Sequence, residues 1–323
     1  MGARDQLQRA AIVTIALTAP TAILGYPIPP APLWRLVHDA DVIVLATVAS
    51  VDEPPPAAPG PQGEDGEVDI RGHHIARLRV TETWKGETEA DVAVPFEPNM
   101  VCPAPPRYEP GATVLAFLVR DDRFGGWQTV HLSYGTLYPP PEAVPVYAAR
   151  VREALTLQHR KSLDRVDRME WLVRCSENRA TRWDGLCELV GSPKPKAYDD
   201  AEHRIRPAEL LTDEHRARIA AGFLRDSRLD HNVPLLLDVL GSYRDDRLDR
   251  AVVAAIDREL QADEPQIYVL RAAIPAILAR LGDEKADSRL PQPGGDWRLQ
   301  PQIEALRKAW VEAKAAVVAQ ASN

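Results

Sequence analysis

The chain has 323 residues, 45% of them hydrophobic and 27% charged, with a formal net charge of −8. That length favours two domains over a single core, and the composition is that of an ordinary soluble protein. The acidity argues against a broad nucleic-acid partner, because contacts from Lys and Arg to phosphate supply most such affinity.

The first 25 residues pattern as a secretory signal peptide. Arg4 and Arg9 precede an apolar run from Ala10 to Gly25, which is a basic start followed by a short apolar core. The run is shorter than the ~20 residues a spanning helix needs, and Pro20 interrupts it. Cleavage after Gly25 and export to the periplasm, cell envelope or medium are expected, with an uncleaved anchor as the alternative. Nothing further along the chain is apolar enough to span a bilayer.

From Asp41 to Gly135 the period is that of strands. Residues 41–51, "DVIVLATVASV", are apolar on both faces, as in a strand covered on both sides. Residues 52–69 are rich in Pro, Gly and acid and pattern as a mobile loop. Residues 74–84 alternate, with Ala76, Leu78, Val80 and Trp84 assigned to one face. In 91–96, Val92, Val94 and Phe96 point inward and Pro95 marks an edge. Residues 113–120 and 126–135 complete five strands, the last with Val130, Leu132 and Tyr134 on one face. Short turns and no intervening helix suggest a small barrel or sandwich.

After residue 145 the period becomes helical. Segments 146–157, 163–175, 183–190, 212–225, 233–241, 246–261, 266–282 and 298–319 are expected as helices, started by signals such as Thr212-Asp213-Glu214 and stopped by Gly191-Ser192-Pro193 and Gly282-Asp283. Short polar turns between them suit an α-solenoid, HEAT-like, or an irregular bundle. The chain is therefore α+β, with expected divisions at 1–25, 33–158 and 159–320.

Read in order, "ADVIVLATVASV", an alternating strand ending in "TWKGE", "VAVPF", "CP", "YEPGATVLAFLV" and "GGWQTVHLSYG" resemble bacterial proteins with a netrin-like, or TIMP-like, domain. The resemblance covers roughly residues 40–155 and rests on pattern as much as on identity. It implies a five-stranded OB barrel with a helix packed against it. It also implies that Trp84 caps the barrel where the second strand leaves it, with Lys85-Gly86 turning toward the third. A stacking platform for a sugar or peptide is the other reading of Trp84. Animal members of the family place an N-terminal cysteine on a protease's zinc. Cleavage after Gly25 would leave Tyr26 first, and no cysteine precedes Cys102, so that mechanism does not carry over.

No HExxH, CxxC, GxSxG, P-loop or GxGxxG motif occurs, and no cofactor, metal or catalytic residue is assigned. His73 and His74 point to opposite faces of a strand; Cys102 and His131 are expected near each other in the barrel; Glu202-His203 and Glu214-His215 share no helical face. Cys175 and Cys187 are a candidate disulfide under export, or two small buried residues. In "RCSENRATRWDG", Arg174, Arg179, Arg182 and Trp183 are a candidate docking patch. Alternatively, the arginines of a helix-turn-helix pair with Asp167, Glu170, Glu177 and Asp184. Residues 244–250, "RDDRLDR", pattern as a solvated charged face. The expected function is non-catalytic binding of a protein or peptide partner at the envelope. The alternatives are a hydrolase with a site between the two halves and an oligosaccharide-binding OB fold; the latter is disfavoured by an aromatic content of 6%.

Overall fold

A computed structural model describes residues 30–53, 74–99, 104–121, 126–162, 164–191, 206–283, 290 and 299–321. The signal-like segment, the loop at 54–69, His73, Cys102, Glu202 and His203 lie outside the described residues.

The sheet half begins with a short helix, α1 (Leu33–Asp39). Strands β1 (Val42–Asp52), β2 (His74–Lys85), β3 (Asp91–Phe96), β4 (Thr113–Asp121) and β5 (Gly126–Thr129) follow. They form an antiparallel sheet in the order β3-β2-β1-β4-β5, and a two-residue strand, β6 (Thr136–Leu137), pairs with β4. The expected closed barrel is not seen as a hydrogen-bonded ring. The sheet is open, although its two edges, β3 and β5, come into contact. Pro95 lies on edge strand β3, where its missing N–H is harmless.

Both faces of the central strands are buried, as the apolar run of β1 demands. Val42, Val44, Ala46 and Val48 of β1 join Ala76, Leu78, Val92, Val94, Val114, Ala116 and Leu118 in one core on one face of the sheet. Ile43, Leu115 and Phe117 face the other way, into a larger core that runs through the helices.

Two expectations fail in the sheet, both for local backbone reasons. Opposite β1, neither Thr81 nor Trp84 has a partner residue, so β2 is bulged twice. Each bulge resets the alternation. Trp84 therefore packs, half-buried, on the helix-side core rather than beside Ala76 and Leu78. It does not plug the sheet, and its indole N–H donates to Glu82 Oε2 at 2.9 Å. The second failure is strand 126–135, which stops at Thr129. His131 and Leu132 take left-handed backbone angles, φ 49° and 59°, and Leu132–Gly135 become a 3₁₀ turn.

The rest of the "TWKGE" motif ties the sheet to α1. Lys85 Nζ donates to the carbonyls of Val37 at 2.8 Å and His38 at 3.3 Å, filling acceptors that the end of a helix leaves open. Gly86 has φ 69°, and a Cβ there would lie 2.4 Å from the Asp41 carbonyl oxygen. Only glycine fits so close an approach.

The helical half comprises α2 (Val144–Gln158), α3 (Arg165–Glu177), α4 (Arg182–Val190), α5 (Asp213–Arg225), α6 (Val233–Leu240), α7 (Asp246–Leu260), α8 (Ile267–Arg280) and α9 (Leu299–Ala321). Thr212 and His215 form a reciprocal capping box at the start of α5. The contacts make two layers: α3 touches α5 and α5 touches α7, while α4 touches α6 and α6 touches α8. Successive pairs α3/α4, α5/α6 and α7/α8 cross between the layers, and α9 covers α8. The segment 244–250 is not wholly solvated. Asp249 is buried against Arg280, 2.6 Å away, and Arg280 also donates to the carbonyls of Gly241 and Tyr243.

The two halves share one core. α1 and α2 sit between sheet and helices, where Trp34 meets Trp171 edge-on at 5.1 Å. Trp171 donates its indole N–H to the Arg150 carbonyl at 3.0 Å. Among the described residues no helix is long and apolar enough to cross a membrane.

Candidate functional site

A cleft of about 340 Å³ opens where the sheet half meets the helices, within the size range of small-ligand sites. Its sheet-side wall is Ser133, Tyr134, Thr136 and Leu137. These residues reach the cleft because the left-handed pair His131-Leu132 turns the chain out of β5. Strained non-glycine backbone of this kind needs local support. Here His131 Nε2 is hydrogen-bonded to Asp39 Oδ2 at 2.6 Å. Against the upward pull of burial, hydrogen bonds from His38, His131 and Arg35 hold the Asp39 carboxyl below its ordinary range.

The helical wall comes from four places: Pro30, Ala31 and Leu36 at α1, Tyr147 on α2, Arg179, Ala180, Trp183 and Asp184 where α3 turns into α4, and His231 and Asn232 before α6. Gly185 explains how α4 gets there. A Cβ at that position would stand 2.5 Å from the Leu172 carbonyl oxygen and 2.3 Å from Ser176 Oγ, so glycine lets α4 close onto α3 and carries Asp184 inward.

Among the described residues lining the cleft, Asp184 supplies the carboxyl, and it is buried, 7% exposed. Its Oδ1 accepts the Leu33 N–H at 2.8 Å, tying α4 to the first turn of α1. Burial pushes its carboxyl up to about 7, and neighbouring Glu188 adds to the rise. Tyr147 donates its hydroxyl to the Ala180 carbonyl at 2.6 Å, and burial raises its phenol well above the ordinary value. Asn232 is 4% exposed; its side-chain oxygen is buried and has no hydrogen-bond partner among the described residues.

The candidate docking patch is divided by this geometry. Trp183 lines the cleft and Arg179 stands at it, held toward Asp226 at 3.4 Å and Asp230 at 4.0 Å. Arg182 is 1% exposed and unavailable to a partner. Its guanidinium lies 5.5 Å from the Phe223 ring centre and donates to the carbonyls of Ser176 and Gly222; burial lowers its pKa. Arg174 pairs with Glu170 at 3.1 Å and Glu153 at 3.2 Å. Of the expected partners, Glu170 does pair with Arg174, whereas Asp184 serves the Leu33 amide instead.

Trp84 belongs to a different surface and does not line the cleft. Cys175 and Cys187 are not bridged; both thiols are free, Cys175 buried and Cys187 half-buried. They lie on different helices of a close pair, and burial raises the pKa of both thiols. Asp184, Asn232, Tyr147 and Ser133 do not stand out in the sequence pattern as site residues. The available signal was Gly185 inside a helix-forming run, which marks close backbone approach beside Asp184.

A larger and more open depression, about 480 Å³, lies along α7. Of its three carboxylates, Asp249 and Asp257 are engaged by Arg280 and Lys314, and Asp246 stands beside Arg250 in the lining. Among the described residues no three or more His, Cys, Asp or Glu side chains converge to hold a metal. No family model, curated protein or solved structure matches this chain.

Proposed function

We propose that this chain is a peptide-binding module of the cell envelope, and that the cleft between sheet and helices is where the peptide sits. The observation that carries this is the lining of the cleft. Tyr134, Tyr147 and Trp183 supply aromatic side chains, and Ser133, Thr136, Arg179, Asp184, His231 and Asn232 supply polar groups. A concave site with few fixed polar groups among aromatic ones is the chemistry of small-ligand recognition. The basic start and apolar run of residues 4–25 support delivery to the envelope.

The same reading holds the sheet to be a netrin-like OB fold and the helices a HEAT-like solenoid. The strand order, with β1 paired to both β2 and β4 and with β3 and β5 approaching at the seam, supports the first. The two-layer stacking of α3 to α8 supports the second.

Isothermal titration of the full chain with a randomised tripeptide mixture tests the proposal. Binding is expected, and Ser133→Trp, which fills the cleft from a half-buried position, should abolish it without lowering the melting temperature. Chito-oligosaccharide serves as the control, since the aromatic faces would also stack sugars. Binding of the glycan but not of peptides, or peptide binding that survives Ser133→Trp, would overturn the proposal.

A further inference from the structure

We propose that α1 is a strut fixing the two walls of the cleft relative to each other, and that the Asp39–His131 pair at its far end is a pH-sensitive latch that sets how well the cleft binds. This rests on the peptide-binding reading above and adds its control. The first support is where α1 is fastened. At its start the Leu33 N–H donates to Asp184 of the helical wall at 2.8 Å, and Pro30, Ala31 and Leu36 line the cleft. At its end Asp39 Oδ2 accepts from His131 Nε2 at 2.6 Å. Two residues beyond His131 stands Ser133, on the sheet-side wall. One seven-residue helix therefore joins both walls.

The second support is strain at that far end. His131 and Leu132 hold φ at 49° and 59°, and non-glycine backbone of this kind persists only where its surroundings hold it. Leu132 is 45% exposed, so its own packing contributes little, and the bond to Asp39 ties the turn to α1. The third support is the charge around the pair. Asp39 also accepts from His38 Nδ1 at 2.7 Å and Arg35 Nε at 3.3 Å. Against the upward pull of burial, these bonds and that of His131 hold its carboxyl below the ordinary range, so it stays ionised at neutral and mildly acidic pH. Lys85 at the end of β2 faces both Asp39 and Asp41. β5 carries no charged residue, and Arg120 of β4 lies over the Trp127 ring at 5.9 Å. Histidine is the side chain whose charge changes between about pH 5 and 8. Facing a carboxylate that stays charged, a protonated His131 makes a charge-assisted bond and a neutral one a weaker bond. The latch is tight at mildly acidic pH and loosens as pH rises. Once it is loose, the strain in His131-Leu132 relaxes the turn and draws Ser133 and Tyr134 out of the wall.

Two measurements on the full-length chain test this. The first is amide hydrogen exchange of residues 130–137 in the free protein, which reports local opening. The parent is compared with His131→Gln, whose side chain donates but does not titrate. Exchange is expected to be about fivefold faster in the variant at pH 6 and equal at pH 8.5, the gap between a charge-assisted and a neutral hydrogen bond. The second is titration calorimetry with a randomised tripeptide mixture at the same two pH values. From pH 6 to pH 8.5 the parent should lose about fivefold more affinity than the variant does. Asp184, His38 and His231 are present in both proteins, so the difference reports His131. Asp39→Asn removes the charge from the other partner; it is expected to match His131→Gln in both measurements and replaces it if that variant does not fold. Equal exchange in parent and variants at pH 6 would overturn the latch and leave the peptide site standing. Faster exchange with parallel affinity profiles would overturn its control of the cleft. No peptide binding at either pH would overturn the peptide reading and that control with it, and the exchange result would still decide the latch.

Discussion

Single residues set the geometry on which the molecule depends, and Gly86 is the sharpest case. Its φ is 69°, and a methyl group on its Cα would meet the Asp41 carbonyl oxygen at 2.4 Å, so no side chain fits. Gly86→Ala is expected to cost upwards of about 2 kcal/mol, combining left-handed strain with a backbone clash; a urea melt measures it. Trp84, two residues earlier, is half-buried. Trp84→Ala should cost about 1–2 kcal/mol, less than the ~3–5 kcal/mol of a fully enclosed aromatic. Asp184 supplies a pH test. Its carboxyl is raised from 3.8 to about 7 by burial, among Tyr147, Cys175, Cys187 and Glu188, with Arg179 and His231 also lining the cleft. The folded state binds the proton more tightly than the unfolded chain. The group's contribution is therefore fully present below about pH 4 and is lost as pH rises through about 7, a change of at most about 4 kcal/mol. Asp184→Asn should remove this slope and melt above the parent at pH 8. A parent and variant with parallel pH profiles would contradict it.

At the scale of elements, what matters is how helix ends and pairs are satisfied. Lys85 closes the end of α1 from a neighbouring strand, and Arg280 locks α8 to α7 and to the turn at Gly241 and Tyr243. Side-chain exposure is 4% for Arg280 and 12% for Asp249. Removing one partner of such a pair strands a buried charge. Arg280→Met is expected to destabilise by about 3–5 kcal/mol. Adding Asp249→Leu should restore much of that, because the uncompensated charge goes with it. Chemical denaturation of the two variants checks both, and a double variant as unstable as the single one would contradict the account.

For the molecule as a whole, the decisive feature is the continuity of the core from sheet to helices. Ile43, Leu115 and Phe117 belong to the same cluster as Trp171, Leu186 and Phe223. A chain ending at Gln158 would lose Trp171 from Trp34 and Asp184 from the Leu33 amide, and would bare the face of α2 that carries Val151, Ala154 and Leu157. It is expected to aggregate or melt far below the full chain, since exposed apolar faces of this size drive association. Cooperative melting at the full-length temperature would show instead that the sheet half is self-sufficient.

What the sequence determined was whatever depends on local period and local chemistry. The two-sided burial of β1, the inward Val92 and Val94, the edge Pro95, the change from strand to helix near residue 145 and the capping signal at Thr212 follow from residues within a few positions of one another. The side-chain period of a strand survives only while its pairing is regular, and bulges opposite β1 moved Trp84 to the other core. Two left-handed residues likewise cut β5 short at Thr129 and turned Ser133 into the cleft. The cleft was not legible because its walls come from segments about a hundred residues apart, Ser133 on one side and Asn232 on the other. Whether Asp184 is a surface partner for arginine or a buried acceptor for Leu33 is decided by which helices pack, and packing is a property of the whole chain.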